Sequence, residues 1–310
     1  MSKSRTLSFS FLFALILATA LFVFPDTARE SVGEASFRCV NSLLPSIFPM
    51  AVLSKQICPH LYIKNSRVSF VLSRFFGFSQ NLLPLFFTSL LCGYPIPAIM
   101  AKDMLDKGAL SKSEAKKAVL LCNNPSLSFM VFYVGECIFS STAIGFLIYI
   151  CNTVSVIISA HFIKSHSEKE CAFEIHKESL SESIGKSSIS CITLFGFVIF
   201  FGLTGQIALK IFEFLKMPSG MAAFVSGLFE SSAGLSQAVQ FSHFQRLFLG
   251  CFLPCFGGLS VYFQVRSAVG DEIFTAKEYF ASRLCVYLIS MIFFIPAVFI
   301  SKSLYFVTFA

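Results

Sequence analysis

Glu230 is the one carboxylate in the apolar stretch Met221 to Ala238, within Gly227-Leu-Phe-Glu230-Ser-Ser-Ala-Gly234. In hydrocarbon an ionisable side chain costs at least about 2.5–3.5 kcal/mol, so it must face a protein interior and find a partner there. Partners within reach of the sequence are Ser231, Ser232 and Gln237, or the amides Asn123 and Asn124 from the other half of the chain. Such a carboxylate could carry a coupling proton or sodium ion, or accept hydrogen bonds from solute hydroxyls. The plainer alternative is a structural hydrogen bond to nearby backbone.

The second chemical signal is where the apolar runs are interrupted. Gly93-Tyr94-Pro95-Ile-Pro97 cannot continue a regular helix, because each proline removes a backbone donor and clashes with the preceding turn. Asn123-Asn124-Pro125-Ser126 reads as a stop and restart, with Asn124 as N-cap and Pro125 in the first turn. Gly227 and Gly257-Gly258-Leu-Ser260 mark two further interruptions. Gly93 lies 30 residues before Asn123 and Gly227 lies 30 before Gly257; a shift of 134 also places Ser126 on Ser260 and Phe129 on Phe263. Paired interrupted segments in two halves are the sequence pointer to a transporter site. Unwound backbone in a bilayer is tolerated only where protein or a watery cavity satisfies it. The expectation is a cavity into which half-helix N-termini at Asn124 and Ser260 point, suited to hydroxyl, carbonyl or anionic groups. Asn123, Asn124, Ser126, Glu230 and Ser260 are the candidate solute contacts.

These residues need elements that span a membrane, and the composition supplies them. Of 310 residues 55% are hydrophobic and 13% charged, with 40 Phe and no Trp. Soluble domains carry about 25% charged residues, so a water-facing surface cannot be made from this remainder. The chain is expected to be an all-α, polytopic membrane bundle of six to eight passes, in two related halves with broken or re-entrant helices. Residues 1–25 hold a first span (Leu7 to Phe24) with Lys3 and Arg5 inside. Residues 26–163 form the N-terminal half, with an external acidic stretch at Asp26 to Arg38 and a kinked span from Val40 to Ile57. An interfacial helix is expected between Val68 and Phe78. Residues 164–183 are a hydrophilic loop, and 184–310 the C-terminal half. Ser111-Lys-Ser-Glu114 reads as a capping box.

Other chemistries find little support. The net charge of +7 is topological in such a chain, and no block of like charges suggests a nucleic-acid partner. There is no G-x-S-x-G elbow, H-E-x-x-H or P-loop, so an enzyme is not expected. The 11 Cys are scattered as packing residues; Cys251 and Cys255 stand at i, i+4 without a His or carboxylate at ligand spacing, so neither a metal nor another cofactor is expected beyond a coupling ion. Gln264 and Arg266 fall at the end of an apolar segment, with Arg266 expected to snorkel to the interface.

Six motifs run in order along nearly the whole chain: Leu44-Pro-Ser-Ile-Phe-Pro-Met-Ala-Val-Leu-Ser54, Cys92-Gly-Tyr-Pro-Ile96, Lys107-Gly-Ala-Leu-Ser-Lys-Ser-Glu-Ala115, Cys122-Asn-Asn124, Gly227-Leu-Phe-Glu230 and Gly257-Gly-Leu-Ser260. In these the sequence resembles the nucleoside-recognition, or Gate, domain membrane proteins, and within them the YlbJ-like sporulation integral membrane proteins. It departs from the family pattern at Pro97 and at Pro125-Ser126. The resemblance implies a multi-pass protein of the bacterial cytoplasmic (inner) membrane, with a Gate-like segment in each half, that moves or binds a nucleoside-like or other small polar solute. The alternative is a non-transporting membrane factor of envelope or spore morphogenesis. The partners expected are the lipid bilayer, a small polar solute and, as an assembly the family allows, a second copy of the chain.

Overall fold

The computed structural model describes residues 9–57, 60, 66–165, 179–214, 216 and 218–308, and among them there are helices and no strands. Five helices are long and apolar enough to cross a bilayer, or six if a bent pair is one span. Large apolar side chains such as Ile189, Ile192, Leu288 and Ile292 are exposed around the outside. A soluble monomer rarely shows so continuous an apolar belt, whereas hydrocarbon requires one.

The first unit starts after α1 (Phe9–Val23). Pro25 opens α2 (Pro25–Arg38), which passes through a π-helical turn, Cys39–Leu43, into α3 (Leu44–Ile57). Together they form one continuous helical run, Pro25–Ile57, that qualifies as a span by its apolar window, with the charged stretch Asp26 to Arg38 as its N-terminal part. Leu44 N–H donates back to the Cys39 carbonyl, five residues away, and this wider turn stands immediately before Pro45, which has no N–H to give. The expected kink is thereby absorbed without ending the helix.

α4 (Arg67–Phe76) is capped by Ser66 and exposes Val68, Phe70, Val71 and Phe75. It meets the next segment, Gln80–Cys92, at 84°. α5 (Leu83–Cys92) stops at Gly93, and α6 (Ile96–Asp106) turns back beside it. Ser79, just before α5, donates to Glu114 at the start of α7 (Lys112–Leu121) over 2.6 Å, while α6 joins α7 by a short turn. The start of α5 and the end of α6 therefore lie on one side, and the pair is a re-entrant hairpin. Glu114 closes the expected capping box with Ser111. α7 runs inward from the same side, unwinds after Leu121, and continues to the far side as a π-helical segment, Phe129–Ile138. α8 (Thr142–Phe162) returns, with Gly145 against Gly135 and Met130 at one end and His161 against Gly77 at the other.

The second unit repeats this path upside down. α9 (Leu180–Phe214) runs against α2–α3, since Gln56 donates to Ser183 over 2.7 Å while Gly202 lies against Ala35 and Arg38. α10 (Ser219–Phe229) enters from the side opposite to α5. After Glu230, α11 (Ser231–Ala238) folds back on it, with Gly234 against Gly227 and Ala223. α12 (His243–Phe256) starts on that side, breaks at Gly257, and α13 (Gly258–Val269) completes the crossing. α14 (Ala276–Thr308) comes back, and its Glu278 pairs with Lys116 at the start of α7. The two halves are thus an inverted repeat, each made of a long helix, a hairpin, a broken crossing helix and a return helix. The hydrophilic loop expected at 164–183 falls mostly outside the described residues.

Each hairpin tip rests on the broken helix of its own unit. Gly93 has φ 65°, and a Cβ there would stand 2.4 Å from Ser126 N; the adjacent Tyr94 N–H donates to the Asn124 carbonyl over 2.9 Å. Gly258 has φ 69°, and a Cβ there would stand 2.8 Å from the Leu228 carbonyl oxygen. Both positions need glycine twice over, for left-handed backbone and for space. Gly93→Ala is expected to lose about 1–3 kcal/mol from backbone conformation alone, and more from the contact with Ser126. Gly196→Ala, with open space around it, should leave stability unchanged. Thermal unfolding of the two variants in detergent checks this: equal melting temperatures would contradict the packing of tip on break.

Candidate solute site between the helix breaks

Three of the interruptions meet at a small cavity of about 30 Å³, lined from the first unit by Gly93, Tyr94 and Ser126 and from the second by Glu230 and Ser232, with Gln264 of α13 beyond the fourth break. Leu194 and Val198 of α9 and Leu43 and Ile47 of α2–α3 supply its apolar wall. It has room for one or two water-sized groups.

Glu230 is 3% exposed and takes extended backbone between α10 and α11. Its carboxylate accepts from Ser232 N–H (3.1 Å), Ala233 N–H (2.7 Å) and the Ser232 hydroxyl (2.5 Å). It therefore caps its own half-helix, where a carboxylate meets both free N–H groups and the positive end of the helix dipole. Of the partners expected from sequence, Ser232 is realised; Gln237 instead donates to Ser226, and the asparagine pair lies elsewhere. The half-helix N-terminus of the second hairpin is consequently filled by protein charge.

Ser126 shares the cavity with Glu230 and is also the cap of the restarting segment, its hydroxyl accepting from Phe129 N–H over 3.1 Å. The expected cap, Asn124, has other work: its side-chain oxygen accepts from Arg283 over 3.0 Å and its amide donates to the Leu121 carbonyl. Pro125 follows in non-helical backbone, so the restart is later than the Asn-Pro signal suggested. Asn123 gives its carbonyl to Arg283 over 2.9 Å, and its side chain is buried beside Tyr279. Ser260 is fully buried behind the cavity wall, and its hydroxyl accepts from Gln264 Nε2 over 3.0 Å. α13 begins at Gly258, two residues before the N-terminus expected at Ser260. Glu230 and Ser126 are thus brought together, Asn123 and Asn124 stand one layer behind the tip of the first hairpin, and Ser260 orients Gln264.

Four residues around the site were not among the candidate solute contacts read from the sequence. Gln264, expected near a membrane face, holds its Oε1 into the cavity region without a partner, a free acceptor beside Glu230. Arg283, at the edge of the last apolar run, is 1% exposed. Tyr133, one aromatic among many, donates to the Ser232 carbonyl over 2.9 Å and stacks on Phe129, tying the first unit to the second. Arg38 belongs to a larger, more open cavity of about 830 Å³, lined also by Glu34, Phe37, Tyr133, Cys137, Ser236, Gln237 and Gln240. Polar side chains inside a span face such a water-filled space. Glu30, Glu34 and Arg38 at i, i+4, i+8 were the available signal. Tyr133 stands between this vestibule and the small cavity. On the opposite face Arg266 reaches outward as expected, bonding Asp271 and holding that carboxyl below the ordinary carboxylate range.

The architecture and the site define a multi-pass helical membrane protein, an inverted repeat whose broken helices meet at a small cavity with an apolar wall and a few polar groups. No family model, curated protein or solved structure matches the chain.

The vestibule carries its own reporter, since Cys137 is exposed within it while Cys251 and Cys255 are buried. A membrane-impermeant thiol reagent is expected to modify Cys137 in intact membranes and to spare the other two until the protein is denatured. Mass spectrometry of the labelled peptides reads this directly, and an unreactive Cys137 would mean that the vestibule is not aqueous.

Proposed function

We propose that the protein is a carrier of the Gate type, moving a nucleoside-like or other small polar solute across a bacterial cytoplasmic membrane. The observation that carries this reading is the convergence of two oppositely inserted hairpin tips on one cavity that holds a capped carboxylate and a free amide oxygen. An inverted repeat lets the same contacts be made with either side open, which is how alternating access works in folds of this kind.

The two cavities divide the task. The vestibule, at about 830 Å³, is of the size that takes a nucleoside, whereas the inner cavity at about 30 Å³ is not. The conformation described is therefore the occluded one, with Phe129 and Tyr133 as the wall that must move. The vestibule offers ring faces from Phe37 and Tyr133 and hydrogen-bonding groups from Ser236, Gln237 and Gln240, a lining suited to a flat heterocycle bearing hydroxyls. It opens away from the face that carries Arg67, Arg74, Lys112 and Lys116, and by the positive-inside rule that makes it external.

Glu230 is assigned the contact to a solute hydroxyl or to the coupling cation. Glu230→Gln keeps the shape and one acceptor oxygen of the cap but removes the charge. Reconstituted variant protein is expected to fold, yet to lose most solute-dependent thermal stabilisation and uptake in a panel of nucleosides. Binding and uptake equal to the parent protein would sink the role given to Glu230.

A further inference from the structure

Arg283 is a buried cation that the proposed cycle leaves unused. It lies five residues beyond Glu278, about 7–8 Å deeper along α14 than the Lys116–Glu278 pair on the face of the bundle. Its guanidinium donates to the Leu120 and Asn123 carbonyls and to the Asn124 side-chain oxygen, and stands 5.8 Å from the centre of the Tyr279 ring. Among the described residues no carboxylate pairs with it, and its Nε has no partner. A hydrogen-bond cap alone would not need a charge here, since a neutral amide donates to carbonyls without the cost of burying a cation. The charge is matched by something else: the carbonyl ends of α7, where the helix dipole is negative and the chain unwinds.

That position has a known chemistry. The C-terminal ends and unwound carbonyls of broken membrane helices are where coupling cations are coordinated. In this chain the carbonyls of Leu120 and Asn123 are already taken, by a cation attached to α14. Asn123 also keeps its side-chain amide oxygen buried beside these carbonyls, a group of the kind that coordinates a cation.

We propose that Arg283 is a tethered cation occupying the coupling-ion position of the first unit, so that the carrier keeps its tip-and-break geometry without sodium. The inference rests on the carrier reading of the site. It assigns the carbonyl ends of α7 as a monovalent-cation site that becomes open to sodium or guanidinium only when Arg283 is removed.

The test uses the purified full chain and its thermal unfolding in sodium chloride, potassium chloride and choline chloride of equal ionic strength. The parent protein is expected to melt at the same temperature in all three. Arg283→Ala should melt lower in choline and recover on addition of sodium or of guanidinium ion at sub-denaturing concentration, which should not raise the parent's melting temperature. Should Arg283→Ala fail to purify, the pair Arg283→Lys and Arg283→Gln replaces it: the charged variant is expected to stay indifferent to sodium and the neutral one to be stabilised by it. Sodium-specific stabilisation of the parent protein overturns the proposal, as does a neutral variant that neither cation rescues. Either failure leaves the carrier reading intact, whereas the absence of solute binding in every salt removes the carrier reading and leaves the cation site standing.

Discussion

Backbone that leaves its helix inside hydrocarbon must be paid for within the protein, and this constraint organises the whole molecule. Each unpaired N–H or C=O there costs several kcal/mol. The chain unwinds at Gly93, after Leu121, at Glu230 and at Gly257, and at the first three a specific group answers. Tyr94 N–H goes to the Asn124 carbonyl, Phe129 N–H to the Ser126 hydroxyl, Ser232 and Ala233 N–H to the Glu230 carboxylate, and the Leu120 and Asn123 carbonyls to Arg283. The breaks sit together because the first tip completes the bonding of the broken helix beside it and the second packs closely against Gly258. A cavity at their meeting point follows from the same packing.

The two buried charges divide along the helix dipoles. Glu230 stands at the N-terminal end of α11 and Arg283 at the C-terminal end of α7, so each charge meets the partial charge that favours it. Neither needs the other as an ion-pair partner, and each stays bound to backbone of its own neighbourhood. Tyr133 joins the two units by a bond from its hydroxyl to the Ser232 carbonyl, next to the residue that caps with Glu230. That bond ties the wall between the two cavities to the residue whose hydroxyl and N–H bind Glu230.

Much of the arrangement is legible in the sequence because its signals are local. Gly93-Tyr94-Pro95 and Gly257-Gly258 mark chain breaks by residue type alone, Glu230 stands out against apolar neighbours, and Ser111 to Glu114 form the capping box by spacing. Gly227, expected as a break, instead lies inside α10, where the missing side chain lets Leu253 and Gly234 pack closely and the helix runs on to Phe229. What escaped was set by partners far away in the chain. Asn124 lost its role as cap to Ser126 because Arg283, 159 residues on, claims its side-chain oxygen. Arg38 read only as the end of a charged stretch; in the structure the helix runs on past it into α3, and its side chain lines the larger cavity. The inversion of the second unit was invisible for the same reason: a shift of 134 residues matches motifs but carries no direction in space.

The central claim is that the meeting point of the breaks opens in turn to the two sides of the membrane. Ser126 lines the cavity, so Ser126→Cys in a background whose native cysteines, Cys137 and the exposed Cys285 included, are replaced by serine places a single reactive thiol there. The measurement is labelling by a membrane-impermeant thiol reagent in right-side-out and in inverted vesicles. The account predicts modification from either side, slowed when a bound solute holds the occluded form. Modification from one side only, or from neither until the protein is denatured, would contradict it.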